Sequence, residues 1–201
     1  MEPPRLSDTP RRYPDFCLSI STRLTWTLTN ILTSACSRPN APNYNLILSI
    51  GSGSGLLEAH LQSLWSSRQS NNLCIEGVEV RTAEEAPPVN RYLSEEQYTT
   101  VRGTFEISPR LKGASALIFV YPREPGLIHR YLQAAGRDMT SPLRAVVWLG
   151  PKADWDSFAE CLRDVPGFGP VEIPTNVTCG LVEYEMMGLI RRLPLPGLPG
   201  S

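Results

Sequence analysis

Histidine is scarce in this chain: His60 and His129 are the whole supply among 201 residues. Neither stands near a cluster of acids or cysteines, so no metal site can be read. The five cysteines, Cys17, Cys36, Cys74, Cys161 and Cys179, are odd in number, widely spaced and never form a C-x-x-C pair. That pattern is no disulfide framework, and it reads as reduced, mostly buried thiols of a cytosolic protein. Apolar runs of membrane-spanning length are missing, as is a charged-then-apolar leader with a cleavage site. The expectation is a cytoplasmic protein with no membrane partner, in which the sequon at Asn176 to Thr178 goes unused. An excess of basic charge is also absent, with 19 Lys and Arg against 20 Asp and Glu, a net charge of −1 and a pI near 6.1. No basic stripe offers itself to nucleic acid, so no nucleic-acid partner is expected. A chain of this length buries one core but has no room for a separate substrate domain. A substrate site must be built from loops and the N-terminal segment.

What the sequence does contain is centred on residues 46–68, LILSIGSGSGLLEAHLQSLWSSR. Residues 46–50 are apolar apart from Ser49, which suits a central strand of a parallel sheet buried on both faces. Gly51, Gly53 and Gly55 then allow a sharp turn and a close approach of backbone to ligand. Leu57, Leu61, Leu64 and Trp65 make one face of the following helix, whose N-terminal amides point back at the turn. Glycines alone are also consistent with a tight strand-to-helix turn. A second strand-like run, LCIEGVEV, ends near Glu79, 24 residues after Gly55. An acid at that place accepts hydrogen bonds from ribose hydroxyls in nucleotide-binding folds.

Read in order, residues 1–12 are proline-rich and polar, a mobile arm. Cys17, Ile20, Leu24, Leu28, Ile31 and Ala35 then fall at helical steps, opened by Pro14 and Asp15. Thr22, Trp26, Thr29 and Thr33 form the neighbouring face, so the helix is either a plain cover for the sheet or a lid with Trp26 on the substrate. The segment 81–98 reads as an irregular crossover, and 99–107 as a third strand and turn. Residues 114–121 and 143–150 are buried strands, each followed by a helix, from Pro125 and from Trp155. Residues 171–174 and 181–191 read as two strands joined by the hairpin-length turn TNVTCG, and 194–201 as a proline-rich tail. Three regions result: an arm and covering helix over 1–43, an α/β domain over 44–193, and the tail. Alternating strands and helices predict a mainly parallel sheet covered on both faces, with an antiparallel C-terminal edge pair.

The spacing G-x-G-x-G, one residue tighter than the dinucleotide fingerprint, resembles motif I of the S-adenosylmethionine-dependent methyltransferases. The set LSIGSGSGLLE, GVEV, RGTFEI, FVYPREP and WLGPKADW is similar to a group of short, mostly fungal methyltransferase-like proteins. The resemblance covers about residues 44–191 and implies the Rossmann-like class I methyltransferase fold with S-adenosylmethionine as cofactor, held by Ser49, Gly51, Gly53, Gly55 and Glu79. It departs from the family at Ser49, where an acid usually helps hold the methionine end. By the same resemblance Thr104 and Phe105 approach the adenine, Thr104 standing where many relatives have an acid.

The loop after the fourth strand then supplies candidate catalytic residues: Tyr121 beside the sulfonium, Arg123 for an acidic substrate group, and His129 as a base. Each also has a plain structural role open to it, in a turn, an ion pair or a solvated helix face. YPRE differs from the N-P-P-Y loop of amine and adenine methyltransferases, and no Asp-Asn metal set appears. Three functions follow: a methyltransferase acting on a small molecule at oxygen, sulfur or carboxylate; a non-methylating cyclase or isomerase on the same fold; and a cofactor-binding regulatory or partner subunit. The oligomeric state is not encoded in any of these features.

Overall fold

The computed structural model describes residues 1–14, 16–37, 44–67, 72–80, 90–137 and 140–194. Half of the 81–98 crossover, residues 81–89, and all but the first residue of the C-terminal tail lie outside those residues.

The first two strands are β1 (Arg11–Tyr13) and β2 (Phe16–Ile20), followed by α1 (Thr22–Cys36), β3 (Asn45–Ile50), α2 (Leu56–Ser67) and β4 (Leu73–Val80). Next come β5 (Tyr98–Val101), β6 (Ala114–Val120), α3 (Pro125–Arg137), β7 (Ala145–Pro151), α4 (Trp155–Leu162), the single turn α5 (Asn176–Cys179) and β8 (Glu185–Arg191). The main sheet runs β5-β4-β3-β6-β7-β8, parallel except for β8, which lies antiparallel to β7. Strand order reverses beside β3, so the crevice at the carboxyl ends of β3 and β6 is where such sheets bind ligands.

Alternation along the strands divides the core. Ile47, Ile118 and Val147 face α1 and α2, meeting Leu28, Leu61 and Trp65. Leu48, Phe119 and Trp148 face α3 and α4, meeting Ile128, Tyr131 and Phe158. Each such buried side chain contributes about 1.5–3 kcal/mol of transfer free energy, enough to explain why β3, β6 and β7 read as near-continuous apolar runs. Among the described residues no helix is long and apolar enough to cross a membrane.

The N-terminal segment departs from the expected pattern. Arg11–Tyr13 and Phe16–Ile20 form an antiparallel hairpin, and the helix begins only at Thr22. Phe16, Leu18 and Ile20 are buried while Cys17 is exposed, so the strand period of two prevails over the helical steps through Cys17 and Ile20. Ser21 marks the true helix start, its hydroxyl accepting from the Leu24 amide at 3.0 Å. The expected mobile arm is tied down, with the Thr22 amide bonded to the Ser7 carbonyl at 2.9 Å and the Thr22 hydroxyl to Asp8 at 2.9 Å. Trp26 stands 37% exposed on α1, and α1 covers the sheet through Leu24, Leu28 and Leu32.

At the other end the expected edge pair is reduced. Only β8 is a full strand; its partner shrinks to an isolated bridge between Glu172 and Leu189. TNVTCG is a helical turn closed by left-handed Gly180 rather than a hairpin loop. The Asn176 side chain donates to the carbonyls of Val182, Glu183 and Glu185, tying this turn to the start of β8.

Candidate functional site

The turn after β3 uses its three glycines for different reasons. Gly51, Gly53 and Gly55 all have left-handed φ, at 80°, 55° and 78°. A Cβ on Gly55 would lie 2.7 Å from Leu93 Cγ and 2.9 Å from Asn90 Oδ1, and one on Gly51 would press on the Val120 carbonyl at 3.2 Å. Nothing lies within 4 Å of a Cβ built on Gly53. Gly51 and Gly55 are therefore demanded by packing, whereas Gly53 leaves open space at the surface of a cavity. Glu79, at the end of β4, closes the turn: its carboxylate accepts from the Gly53 amide at 2.8 Å and from the Val80 amide at 2.9 Å.

The cavity holds about 500 Å³ at the carboxyl ends of the parallel strands. Gly51, Gly53 and Glu79 form one side; Val78, Val80 and Val101 give it an apolar wall; Tyr121, Pro122 and Arg123 stand opposite. Thr104 lines it as well, but Phe105 does not. The Phe105 ring packs against the Arg130 guanidinium at 5.7 Å, and its carbonyl accepts from Arg130 at 3.0 Å, which turns it away from the expected stacking position. An acid does reach this wall, two residues beyond Thr104: Glu106 lines the cavity, with its carboxylate accepting from the Arg102 amide.

Tyr121 is the strained residue of the site, a non-glycine at φ 46°. Its amide is held by the Leu149 carbonyl at 2.7 Å, and its hydroxyl donates to Glu185 Oε1 at 2.8 Å and accepts from Arg12 Nη2 at 3.5 Å. Burial, then the neighbouring Glu185 carboxylate, push the phenol well above its ordinary range, so at neutral pH it is a hydrogen-bond donor and not a base. Glu185 is fully buried and accepts from the Ser19 amide through both oxygens, at 3.1 and 3.3 Å. Its burial raises its pKa, while Tyr121, Ser19 and Arg12 pull the other way. These contacts fasten the N-terminal hairpin across the site, and Phe16 and Cys17 of β2 become part of the cavity wall in place of Trp26.

Arg123 is exposed, lines the cavity, and makes no ion pair among the described residues. His129 is not brought here. On α3 the side chains of Ile128, Tyr131 and Leu132 turn inward while His129 is exposed, and it lines a second cavity of about 640 Å³ with Arg137, Arg163 and Arg192. Among the described residues no group of three His, Cys, Asp or Glu is placed to hold a metal ion.

Behind the glycine turn lies a polar cluster. Ser49 and Glu58 are fully buried and Ser54 nearly so, and the side-chain oxygens of all three are without hydrogen-bond partners. Glu58 falls on the buried face of α2, three residues before Leu61 and seven before Trp65. That spacing was the signal available for it in the sequence. Arg12, Phe16 and Glu185 gave none, because their places depend on pairing between distant parts of the chain.

No family model and no curated protein matches the sequence. Solved structures do match in fold. The human methyltransferase 10 domain containing protein superposes with a TM-score of 0.53 at 13% identity, over 92% of this chain and 87% of that one. The methyltransferase domain of bacterial CtHen1-CN gives 0.51 at 11% identity, over 84% and 97%. The small RNA methyltransferase HEN1 gives 0.50 at 13%, over 94% of this chain but only 28% of its own. At these identities the likeness is one of architecture, and by architecture the chain has the Rossmann-like class I methyltransferase fold.

Proposed function

We propose that the chain binds S-adenosylmethionine in this cavity and transfers its methyl group to a small molecule. One observation carries the reading: Gly53, left-handed and open above its α-carbon, faces the cavity with Glu79 beside it at the carboxyl end of the next strand. Glu79 would accept from the ribose hydroxyls, and Val80, Val101 and Thr104 would hold the adenine, with Glu106 as the nearby acid.

When bound, S-adenosylmethionine supplies an already activated methyl group, so alignment and removal of one proton are what remain for the protein. Among the described residues Arg123 is the one basic side chain lining the cavity, and it suits the carboxylate or other acidic group of a substrate. Tyr121, its hydroxyl proton committed to Glu185 and its oxygen to Arg12, offers a fixed ring at the reacting end. Tyr121 kept protonated and His129 in another cavity favour a nucleophile that is acidic or already ionised: a phenol, a thiol or a carboxylate. One similar structure is a small RNA methyltransferase, yet a wall with one arginine beside Glu79 and Glu106 suits a small acid better than a polyphosphate strand.

The test has two steps. Native mass spectrometry and calorimetry should detect one bound S-adenosylmethionine or S-adenosylhomocysteine per chain; no heat at millimolar ligand overturns the reading. Release of S-adenosylhomocysteine is then followed against small acids, phenols, thiols and a short RNA. Arg123→Ala should raise KM for the accepted acid about tenfold with little change in kcat. The replacement of the family acid by Ser49 favours a second reading, a non-methylating cyclase or isomerase. It would be supported by products of unchanged mass formed without S-adenosylhomocysteine.

A further inference from the structure

Arg137, Arg163 and Arg192 all line the second cavity, in a chain whose overall charge is −1. Among the described residues Asp164 is the one acid lining it, so its wall carries an excess of positive charge. The cavity lies where α3 and α4 end, β7 begins and β8 finishes, at the amino ends of the parallel strands. It shares no lining residue with the cavity at the glycine turn. A cleft lined by one sign of charge focuses its field on a counter-ion.

The three cations are not equivalent. Arg192 is engaged by the Ser141 and Leu143 carbonyls and lies over the Phe168 ring. Phe168 is itself fixed by its bridge to Arg192, flanked by the Gly169 amide on the Arg191 carbonyl at 2.8 Å and the Leu193 amide on the Gly167 carbonyl at 2.9 Å. That wall stands whether or not a ligand is bound. Arg137 and Arg163, by contrast, are exposed, and among the described residues their guanidinium groups make neither an ion pair nor a hydrogen bond. Arg137 falls in the last turn of α3 and Arg163 directly after α4. A cation there offsets the helix dipole, yet that role leaves both guanidinium forks open to a carboxylate or phosphate.

Much of the remaining lining is apolar, from Leu132, Ala135, Leu143, Val165 and Phe168. At about 640 Å³ the space is that of a small-molecule site and not of a groove for a protein segment. We propose that this cavity binds a small amphipathic anion, with Arg137 and Arg163 taking its carboxylate or phosphate and Leu132, Leu143 and Phe168 receiving its apolar body. Arg192 is committed to the wall, and the two exposed arginines form the clamp. The assignment does not depend on what the glycine turn holds.

The test is calorimetry on the full chain with three probes that share one body: naphthoate, naphthyl phosphate and uncharged naphthol. One anion per chain should bind, and naphthol should bind at least about tenfold more weakly, for want of the charge-assisted bonds. The two anions together tell a carboxylate site from a phosphate site. An Arg137→Gln, Arg163→Gln double variant should weaken the preferred anion about 10- to 100-fold. Its urea midpoint should match the parent's, because both side chains are exposed. Arg123→Ala, which removes the arginine of the other cavity, should leave the affinity for the anion unchanged. No heat from either anion at millimolar concentration, equal affinity for naphthol, or unchanged affinity in the double variant would each overturn the proposal. Loss of anion binding in Arg123→Ala would also overturn it, by moving the anion to the glycine turn.

Discussion

Two cavities open at opposite ends of the same sheet, and the larger one is not the one the fold prepares for chemistry. The cavity beside α3 and α4, at about 640 Å³, exceeds the one at the glycine turn, at about 500 Å³. Its most engaged cation is spent on structure: Arg192 donates to the carbonyls of Ser141 and Leu143, each at 3.3 Å, and lies over the Phe168 ring at 6.0 Å. Each cavity carries one left-handed non-glycine, Tyr121 in the smaller and Asp164 in the larger, but the fully buried carboxylates Glu58 and Glu185 lie behind the smaller. Strain and unsatisfied polar groups gather where a fold meets a ligand. Volume does not distinguish the two ends; the burial of their charged groups does.

The sharpest way to break this contrast is at Gly53. Gly53→Val should abolish S-adenosylmethionine binding in calorimetry, because its side chain fills the open space at the cavity, and cost only about 1–2 kcal/mol of stability from the left-handed backbone. If the variant still binds, the ligand is not at this turn. Next in size is the cost stored at Glu58. Its folded carboxyl, raised from 4.5 to about 7, keeps a proton that the unfolded chain gives up. Its contribution to stability is therefore fully present below pH 4.5 and lost as pH rises to about 7, worth about 3 kcal/mol at roughly 1.4 kcal/mol per pH unit. Urea midpoints between pH 4.5 and 8 should show this slope in the parent and not in Glu58→Gln.

Glu79→Ala should weaken cofactor binding by about 1.5–3 kcal/mol, and Glu79→Gln by less, since the amide oxygen still accepts. Equal affinity in parent and variants would separate the ribose from β4. At the other cavity the expected effects are smaller and confined to folding. Arg192→Met should lower stability by about 1 kcal/mol through the lost carbonyl bonds and leave ligand affinity unchanged. His129→Ala should stay within about 0.5 kcal/mol in both. A loss of turnover in His129→Ala at constant stability would reverse the comparison.

The half of the molecule built on local signals was legible in the sequence. β3, β6 and β7 declare themselves by apolar runs buried on both faces, and Gly51, Gly53, Gly55 and Glu79 by spacing alone. The other half of the site was not, because its cause is long-range. Phe16 to Ile20 fits both a helical stripe and a strand alternation, and the choice falls to the strand only when β1 pairs with it and Glu185 takes the Ser19 amide. Glu185 itself reads as one polar residue at the start of an edge strand. Phe105 looked like a stacking face until Arg130, on the next helix but one turn further along, claimed it.

The bond between Ser19 and Glu185 spans 166 residues, and that span sets a schedule during synthesis. At roughly 5–20 residues per second, Ser19 is made about 8–33 s before its partner carboxylate. Through that interval Phe16, Leu18 and Ile20 have no β8 beside them, and Tyr121, once made, has no Glu185 to hold its hydroxyl. The parallel strands have time to assemble first. The wall that Phe16 and Cys17 give the cavity gains its Glu185 anchor only when β8 is made, and a nascent chain stopped short of β8 would hold the glycine turn without that anchor.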